Sequence, residues 1–163
     1  MSATVSIITG SESDLELAKK CGEILESFSI DYSINIFSAH RTPELLQNHL
    51  KETEEGTKIY IAIAGLAAHL AGAIAAKTTK PVIGVPADSG PLKGIDALLS
   101  TVQMPKGIPV STVAIGSTGA TNAGYLAAQI LSLGSEEIAK KLKSSREKNM
   151  QSVLEVNQKL SKK

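Results

Sequence analysis

A chain of 163 residues, 42% hydrophobic and 20% charged, is long enough to bury a substantial core as one domain without disulfides or a structural metal. Its formal net charge of +1 argues against a nucleic-acid binder, and no apolar run approaches the roughly 20 residues that cross a bilayer. The single cysteine, Cys21, can form neither an intramolecular disulfide nor a zinc ribbon nor a redox pair, and it is expected in the core.

In chain order, the opening residues run straight into a β-branched segment without the basic region, apolar stretch and cleavage site of a secretory leader, so a cytoplasmic location is expected. Short β-branched runs then alternate with longer stretches of helical period. Strands are expected at 4–9, 32–37, 59–64, 81–86 and 109–115. After the first strand, Leu17, Ala18, Cys21, Ile24, Leu25 and Phe28 fall on one helical face. Thr42 followed by Pro43 reads as a cap and first residue of the next helix. His49, in the polar part of that helix, is expected to be exposed. Ala123, Leu126, Ala127, Ile130 and Leu131 mark a later helix, and Ser135-Glu136-Glu137 opens a last one with favourable negative charge. Neither repeats nor a linker interrupt the pattern, so 1–163 is expected as one domain, with a core at 4–133 and a C-terminal helix at 135–160. Strands apolar on both faces and alternating with helices imply a three-layer α/β/α sandwich, flavodoxin-like, with a five-stranded parallel sheet and right-handed crossovers.

The charge is unevenly placed. From Ala139 onward eight Lys or Arg stand against two Glu, and the rest of the chain carries nine against fourteen. With no aromatic side chains there to stack on bases, the basic tail reads as a solvated helix and not a nucleic-acid surface. The many alanines and glycines suit a chain that also packs against copies of itself.

In a sheet of this kind ligands sit beyond the carboxyl ends of the strands. The first such loop, Gly10-Ser11-Glu12-Ser13-Asp14, leads into a helix whose free amides can receive an anion, although a plain capped turn accounts for it as well. The second, Ser38-Ala39-His40-Arg41-Thr42-Pro43, brings a hydroxyl, an imidazole and a guanidinium to the same sheet edge. Arg can hold phosphate bidentately and His is suited to proton transfer, while a capping or surface histidine is the plainer reading. The third, Ala64 through Gly72, is apolar and small: either the wall of a dry pocket or a helix start packed closely on the sheet. His40, His49 and His69 show no metal-ligand spacing.

Taken together, Gly10-Ser11-Glu12-Ser13-Asp14, Ser38-Ala39-His40-Arg41-Thr42-Pro43, Ala67-Ala68-His69-Leu70 and the stretches 94–110 and 122–131 resemble, in order, the motifs of the class I N5-carboxyaminoimidazole ribonucleotide mutases. The resemblance implies a flavodoxin-like subunit in a homo-octamer, with active sites completed by neighbours. It implies a ribonucleotide substrate, with no metal, biotin or ATP and so no cofactor, and no membrane or nucleic-acid partner. Ser11, Ser13, Asp14, Ser38 and Arg41 would hold ribose and phosphate, with Gly10 allowing close approach. His40 would be the acid and base, and Ala67, Ala68, His69 and Leu70 would line the pocket of the migrating carboxyl. Carbon dioxide would leave the exocyclic nitrogen and be recaptured on the neighbouring ring carbon within a dry site.

The chain departs from the family's bacterial pattern at Leu66, where that pattern has glycine, at Ala71, where it has proline, and in the loop 87–93. Two other readings stand beside the mutase. One is a class II carboxylase that fixes carbon dioxide directly onto aminoimidazole ribonucleotide; that class carries lysine where Arg41 stands and lacks the histidine at His69. The other is a non-catalytic flavodoxin-like binding or receiver module, which would need an acceptor Asp after the third strand, where Ala64-Gly65 stand.

Overall fold

A computed structural model describes residues 3–161. Five parallel strands, β1 (Val5–Thr9), β2 (Tyr32–Ile36), β3 (Ile59–Ala64), β4 (Val82–Pro86) and β5 (Ser111–Thr112), form one sheet in the order β2-β1-β3-β4-β5. The helices are α1 (Leu15–Ser27), α2 (Pro43–Thr53), α3 (Leu70–Ala75), α4 (Ile95–Val102), α5 (Gly116–Ser132) and α6 (Glu136–Leu160). This is the flavodoxin-like α/β/α arrangement expected from the pattern.

Alternation along the buried strands sorts their side chains into two cores. Val5 and Ile7 stand level with Ile59 and Ile61, and these join Ile63, Ile83 and Val85 in a core shared with Ala18, Cys21 and Leu25 of α1 and Ala120, Ala123 and Ala127 of α5. The opposite parity, Ile8, Tyr60, Ala62 and Val82, packs with Leu46 and Leu50 of α2 and Leu70, Ala71 and Ile74 of α3. Each central strand is therefore buried on both faces, as expected of a parallel sheet covered by helices on either side. The helical face foreseen around Cys21 is the one α1 buries, and burial pushes the Cys21 thiol up to about 12. α1 and α5 approach closely at Gly124, where a Cβ would stand 2.7 Å from Ile24 Cβ.

Three local expectations are corrected. The fifth strand, expected at 109–115, pairs only through Ile83 with Ser111 and Gly84 with Thr112. Pro109 has no N–H to give a ladder, and beyond Val113, whose amide donates to Gly84 O at 3.0 Å, the chain turns away into α5. Thr42 is the N-cap residue of α2 and Pro43 its first helical residue, as expected, but the Thr42 hydroxyl makes no cap bond. It accepts instead from Ser38 N at 2.9 Å and donates to Ser38 O at 3.2 Å, closing the loop 38–42 upon itself. His49 is half-buried rather than exposed: its Nε2 meets Ser6 Oγ of β1 at 3.1 Å, and its ring lies against Phe37 with centroids 4.8 Å apart.

The last helix starts where expected, with Ser135 Oγ accepting from Ile138 N at 3.4 Å. Ile138 and Leu142 pack on the α1/α5 core, while no residue of α6 is fully buried. Its apolar side chains beyond that point, Met150, Val153, Leu154, Val156 and Leu160, stand exposed. Among the described residues no helix is long and apolar enough to cross a membrane.

Candidate active site

The chain runs from β1 outward to β2 and then returns to place β3 on the other side of β1. The loops leaving β1 and β3 therefore diverge, opening a crevice at the carboxyl ends of the strands. A cleft of about 550 Å³ occupies it. All of Gly10, Ser11, Ser13, Asp14, Ser38, His40, Arg41, Ala67, Ala68, His69 and Leu70 line this one cleft. Ala39, Ala64, Gly65, Leu66, Ser89 and Gly90 join them.

The first loop is organised by its own side chains. Ser11 Oγ accepts from Ser13 N at 3.3 Å and Asp14 N donates to Ser11 O at 3.2 Å, while the one proton of the Ser13 hydroxyl lies between Ser11 Oγ at 3.1 Å and Asp14 Oδ1 at 3.3 Å. A single 3-10 turn, Glu12–Asp14, results, and the amide of Leu15 closes it on Glu12 O. The free amides expected at this helix start are thus largely spent inside the turn, because serine at its head caps it; the loop offers the cleft hydroxyls and a carboxylate. That carboxylate, Asp14, is only 5% exposed. Burial raises its pKa above the ordinary 3.8, the Ser13 hydroxyl bond lowers it in part, and the nearby Asp88 carboxylate raises it again.

The second loop is held by Thr42, as described, and by Arg41 N donating to Ser38 Oγ at 3.1 Å. This leaves the Arg41 side chain free to reach across, where Nη2 donates to Gly10 O at 3.0 Å. Gly10 N in turn donates to Ile63 O of β3 at 3.0 Å. The guanidinium is exposed and tethered by one bond, with further N–H groups left for an anion.

His40 comes from the second loop and His69 from the third, immediately before α3. Their rings meet edge to face with centroids 4.7 Å apart, and His40 Nε2 lies 2.5 Å from His69 Nδ1. Two nitrogens at this distance need one N–H and one bare lone pair, so one ring donates to the other, in the direction set by their tautomers. Both rings are exposed to the cleft, whereas Ala68 and Leu70 are buried beneath it and Ala67 is exposed. Within one chain the cleft is open, with His40, Arg41, Leu66, Ala67 and His69 exposed along it.

Sequence reasoning left Ser89 and Gly90 outside the candidate list, although they follow β4 and so face the same edge. The strand-end rule that found the first three loops applied equally to this one.

Fold and cleft define a doubly wound α/β protein with a hydroxyl-rich turn, an arginine and a hydrogen-bonded imidazole pair at its topological switch point, where folds of this class bind their ligands. The profile of the family described as AIR carboxylase matches residues 4–152, and the chain belongs to that family. It is 51% identical to the N5-carboxyaminoimidazole ribonucleotide mutase of Bacillus subtilis, over 98% of this chain and 99% of that one. It is also 51% identical to the protein of the same name from Methanocaldococcus jannaschii, over 96% of each. Among solved structures, Treponema denticola PurE superposes with a TM-score of 0.88 at 39% identity, covering 96% of this chain and 97% of that one.

Proposed function

We propose that this chain is an N5-carboxyaminoimidazole ribonucleotide mutase, an isomerase of purine biosynthesis that moves a carboxyl group from the exocyclic nitrogen of its substrate to the neighbouring ring carbon. The observation that carries the reading is the contact between His40 and His69 in a cleft that also holds Arg41 and the Ser11-to-Asp14 turn. Near-full-length likeness to proteins named for this activity supports it.

The reaction is a proton-neutral rearrangement, and the imidazole pair suits it. As the bond between nitrogen and carboxyl breaks, the nitrogen keeps the electron pair and takes a proton from His40, releasing carbon dioxide. The ring carbon then attacks that carbon dioxide and must lose its own proton, which His40 takes back. His69, bonded to His40, holds the ring in place and can accept the proton along the shared line between the two steps. Arg41 binds the phosphate, where its unused N–H groups supply charge-assisted bonds. Ser11, Ser13 and Ser38 contact ribose or phosphate, Gly10 allows close approach, and Asp14 accepts from a ribose hydroxyl. Ala67, Ala68 and Leu70 form the floor against which the carboxyl moves. The chain needs no metal or other cofactor for these steps.

The subunit acts as one domain in a cytoplasmic homo-octamer without nucleic-acid or membrane partners. Two features support the assembly: the cleft is open in the single chain, and the outer half of α6 presents Val153, Leu154, Val156 and Leu160 to solvent. Light scattering at micromolar concentration should show an octamer, and a stable monomer would refute this part.

Direct carboxylation of aminoimidazole ribonucleotide is the second reading, favoured by the family's description. The test supplies purified protein either with the N5-carboxylated compound or with aminoimidazole ribonucleotide and low bicarbonate. Efficient conversion of the first is expected; efficient turnover of the second alone would overturn the mutase reading.

A further inference from the structure

Among the described residues, Ser89 carries the one side-chain hydroxyl of the cleft that bonds nothing in the chain. Ser11, Ser13 and Ser38 commit their side-chain oxygens to bonds within their own loops, whereas that of Ser89 has no such partner. Ser89 is half-buried. Its hydroxyl keeps one donor and two acceptor sites for whatever enters the cleft.

The loop after β4 holds Ser89 in place from both sides. Before it, Ala87 N donates to Ala64 O at 2.9 Å, tying the base of this loop to the end of β3. After it, Gly90 turns with φ 82° beneath Leu66, whose Cδ2 lies 2.5 Å from where a Cβ on Gly90 would stand. Between them the Ser89 hydroxyl fills the space that a Cβ on Gly65 would need. The neighbouring charge is turned elsewhere: Asp88 Cγ lies 3.0 Å from the Cβ position of Gly116 at the start of α5, and Asp88 does not line the cleft. Ser89 is thus a prepositioned donor with no carboxylate of the chain to occupy it.

We infer that Ser89 donates to the carboxylate of the bound nucleotide, and so lets the site tell carboxylated from uncarboxylated ligand. The inference rests on the mutase reading. Arg41 reaches to Gly10 at the end of β1, and the turn 11–14 follows the same strand. Ser89 follows β4, with β3 in between. Two strand spacings, roughly 10 Å, part these sides of the cleft, so the group that meets Arg41 cannot also meet Ser89. A ribonucleotide with its phosphate at Arg41 and its ring at His40 and His69 therefore turns the ring edge remote from the ribose towards Ser89. That edge bears the carboxyl of the product, on the ring carbon not bonded to the ribosylated nitrogen. A hydroxyl gives such a carboxylate a charge-assisted bond. Aminoimidazole ribonucleotide has only a C–H there and gains nothing from it.

The test titrates the purified protein by calorimetry with 4-carboxyaminoimidazole ribonucleotide and, separately, with aminoimidazole ribonucleotide. Ser89→Ala removes one half-buried oxygen. It should weaken the carboxylated nucleotide about tenfold or more, as for loss of a hydrogen bond to a charged group, and the uncarboxylated one by less than about twofold. Gly65→Ala puts a methyl group where the hydroxyl sits; Gly65 has no positive φ to oppose alanine, and the nearest atom outside Ser89 is Ala87 Cβ at 3.6 Å. It should show the same selective loss, and the double variant should be no worse than Ser89→Ala alone. Equal loss of both nucleotides in Ser89→Ala, or loss of neither, would overturn the inference, as would a Gly65→Ala variant that keeps the full preference. Wild-type protein that binds neither nucleotide would instead overturn the mutase reading beneath it.

Discussion

Replacing His40 and His69 singly and together tests which imidazole carries the proton. His40→Asn keeps a hydrogen-bonding side chain but cannot titrate near neutrality. General acid-base catalysis is worth about 10²–10⁴-fold, or about 3–5.5 kcal/mol of barrier, and here the same group serves both halves of the reaction, so a loss near the upper end is expected. His69→Asn removes the bond at 2.5 Å but leaves the proton carrier. A neutral hydrogen bond is worth about 0.5–1.5 kcal/mol, so the loss should be about tenfold or less. Because His69 is read as acting through His40, the double variant should be no slower than His40→Asn, an interaction that a double-mutant cycle on turnover measures directly. Both side chains are exposed, so circular dichroism and nucleotide binding should be little changed. A His40 variant that retains more than about a tenth of wild-type turnover, beside an inactive His69 variant, would move the proton carrier to the third loop.

Arg41→Ala should mainly raise KM, since a charge-assisted contact to phosphate is worth about 1.5–3 kcal/mol, roughly ten- to hundredfold in affinity. Equal turnover of the nucleoside lacking its phosphate would remove Arg41 from that role. His49 gives a pH dependence of stability: burial lowers its pKa below the ordinary 6.5, only partly opposed by Glu52. The unfolded chain therefore binds more protons than the folded one just below pH 6.5, and stability conferred by the neutral ring is lost as pH falls through the folded value. His49→Gln should flatten that part of the stability profile in denaturant titrations, and an unchanged slope would count against the assignment.

The parts of this fold that could be read from the sequence are those where one physical demand acts alone. β1, β3 and β4 are buried on both faces, so their apolar runs were unambiguous, and the strand-end rule then brought three loops to one cleft. The misreadings arose where a distant contact decides. The 109–115 run looks like a full strand, but at the sheet edge only Ser111 and Thr112 find partners. Thr42 has the chemistry of a cap, and Ser38, four residues back, competes for its hydroxyl. His49 reads as a surface residue of a polar helix until Ser6, 43 residues earlier, is placed beneath it. The contact between His40 and His69 spans 29 positions and two loops, so each histidine stood out separately while their hydrogen bond could not be foreseen.

Asp14 brings stability and function into opposition. A carboxylate that is 5% exposed, with only the Ser13 hydroxyl at 3.3 Å as a partner among the described residues and with Asp88 adding repulsion, is costly to ionise. Its pKa is raised by burial first, so the folded chain holds more protons than the unfolded one above pH 3.8. Stability is then greatest below 3.8 and falls as pH rises through the folded value. A fold gains nothing from such a group at neutral pH, but a nucleotide does: a poorly solvated carboxylate is a strong acceptor for a ribose hydroxyl. Asp14→Asn keeps the shape and the Ser13 bond while removing the charge. It should therefore raise the melting temperature at pH 7, leave it unchanged near pH 3, and weaken nucleotide binding by about tenfold or more, the worth of a charged hydrogen bond. Calorimetric melts at both pH values, paired with titration of the nucleotide, separate these effects. A variant less stable than wild type at pH 7 would mean that the carboxylate has a structural partner, and unchanged binding would mean that the ribose lies elsewhere.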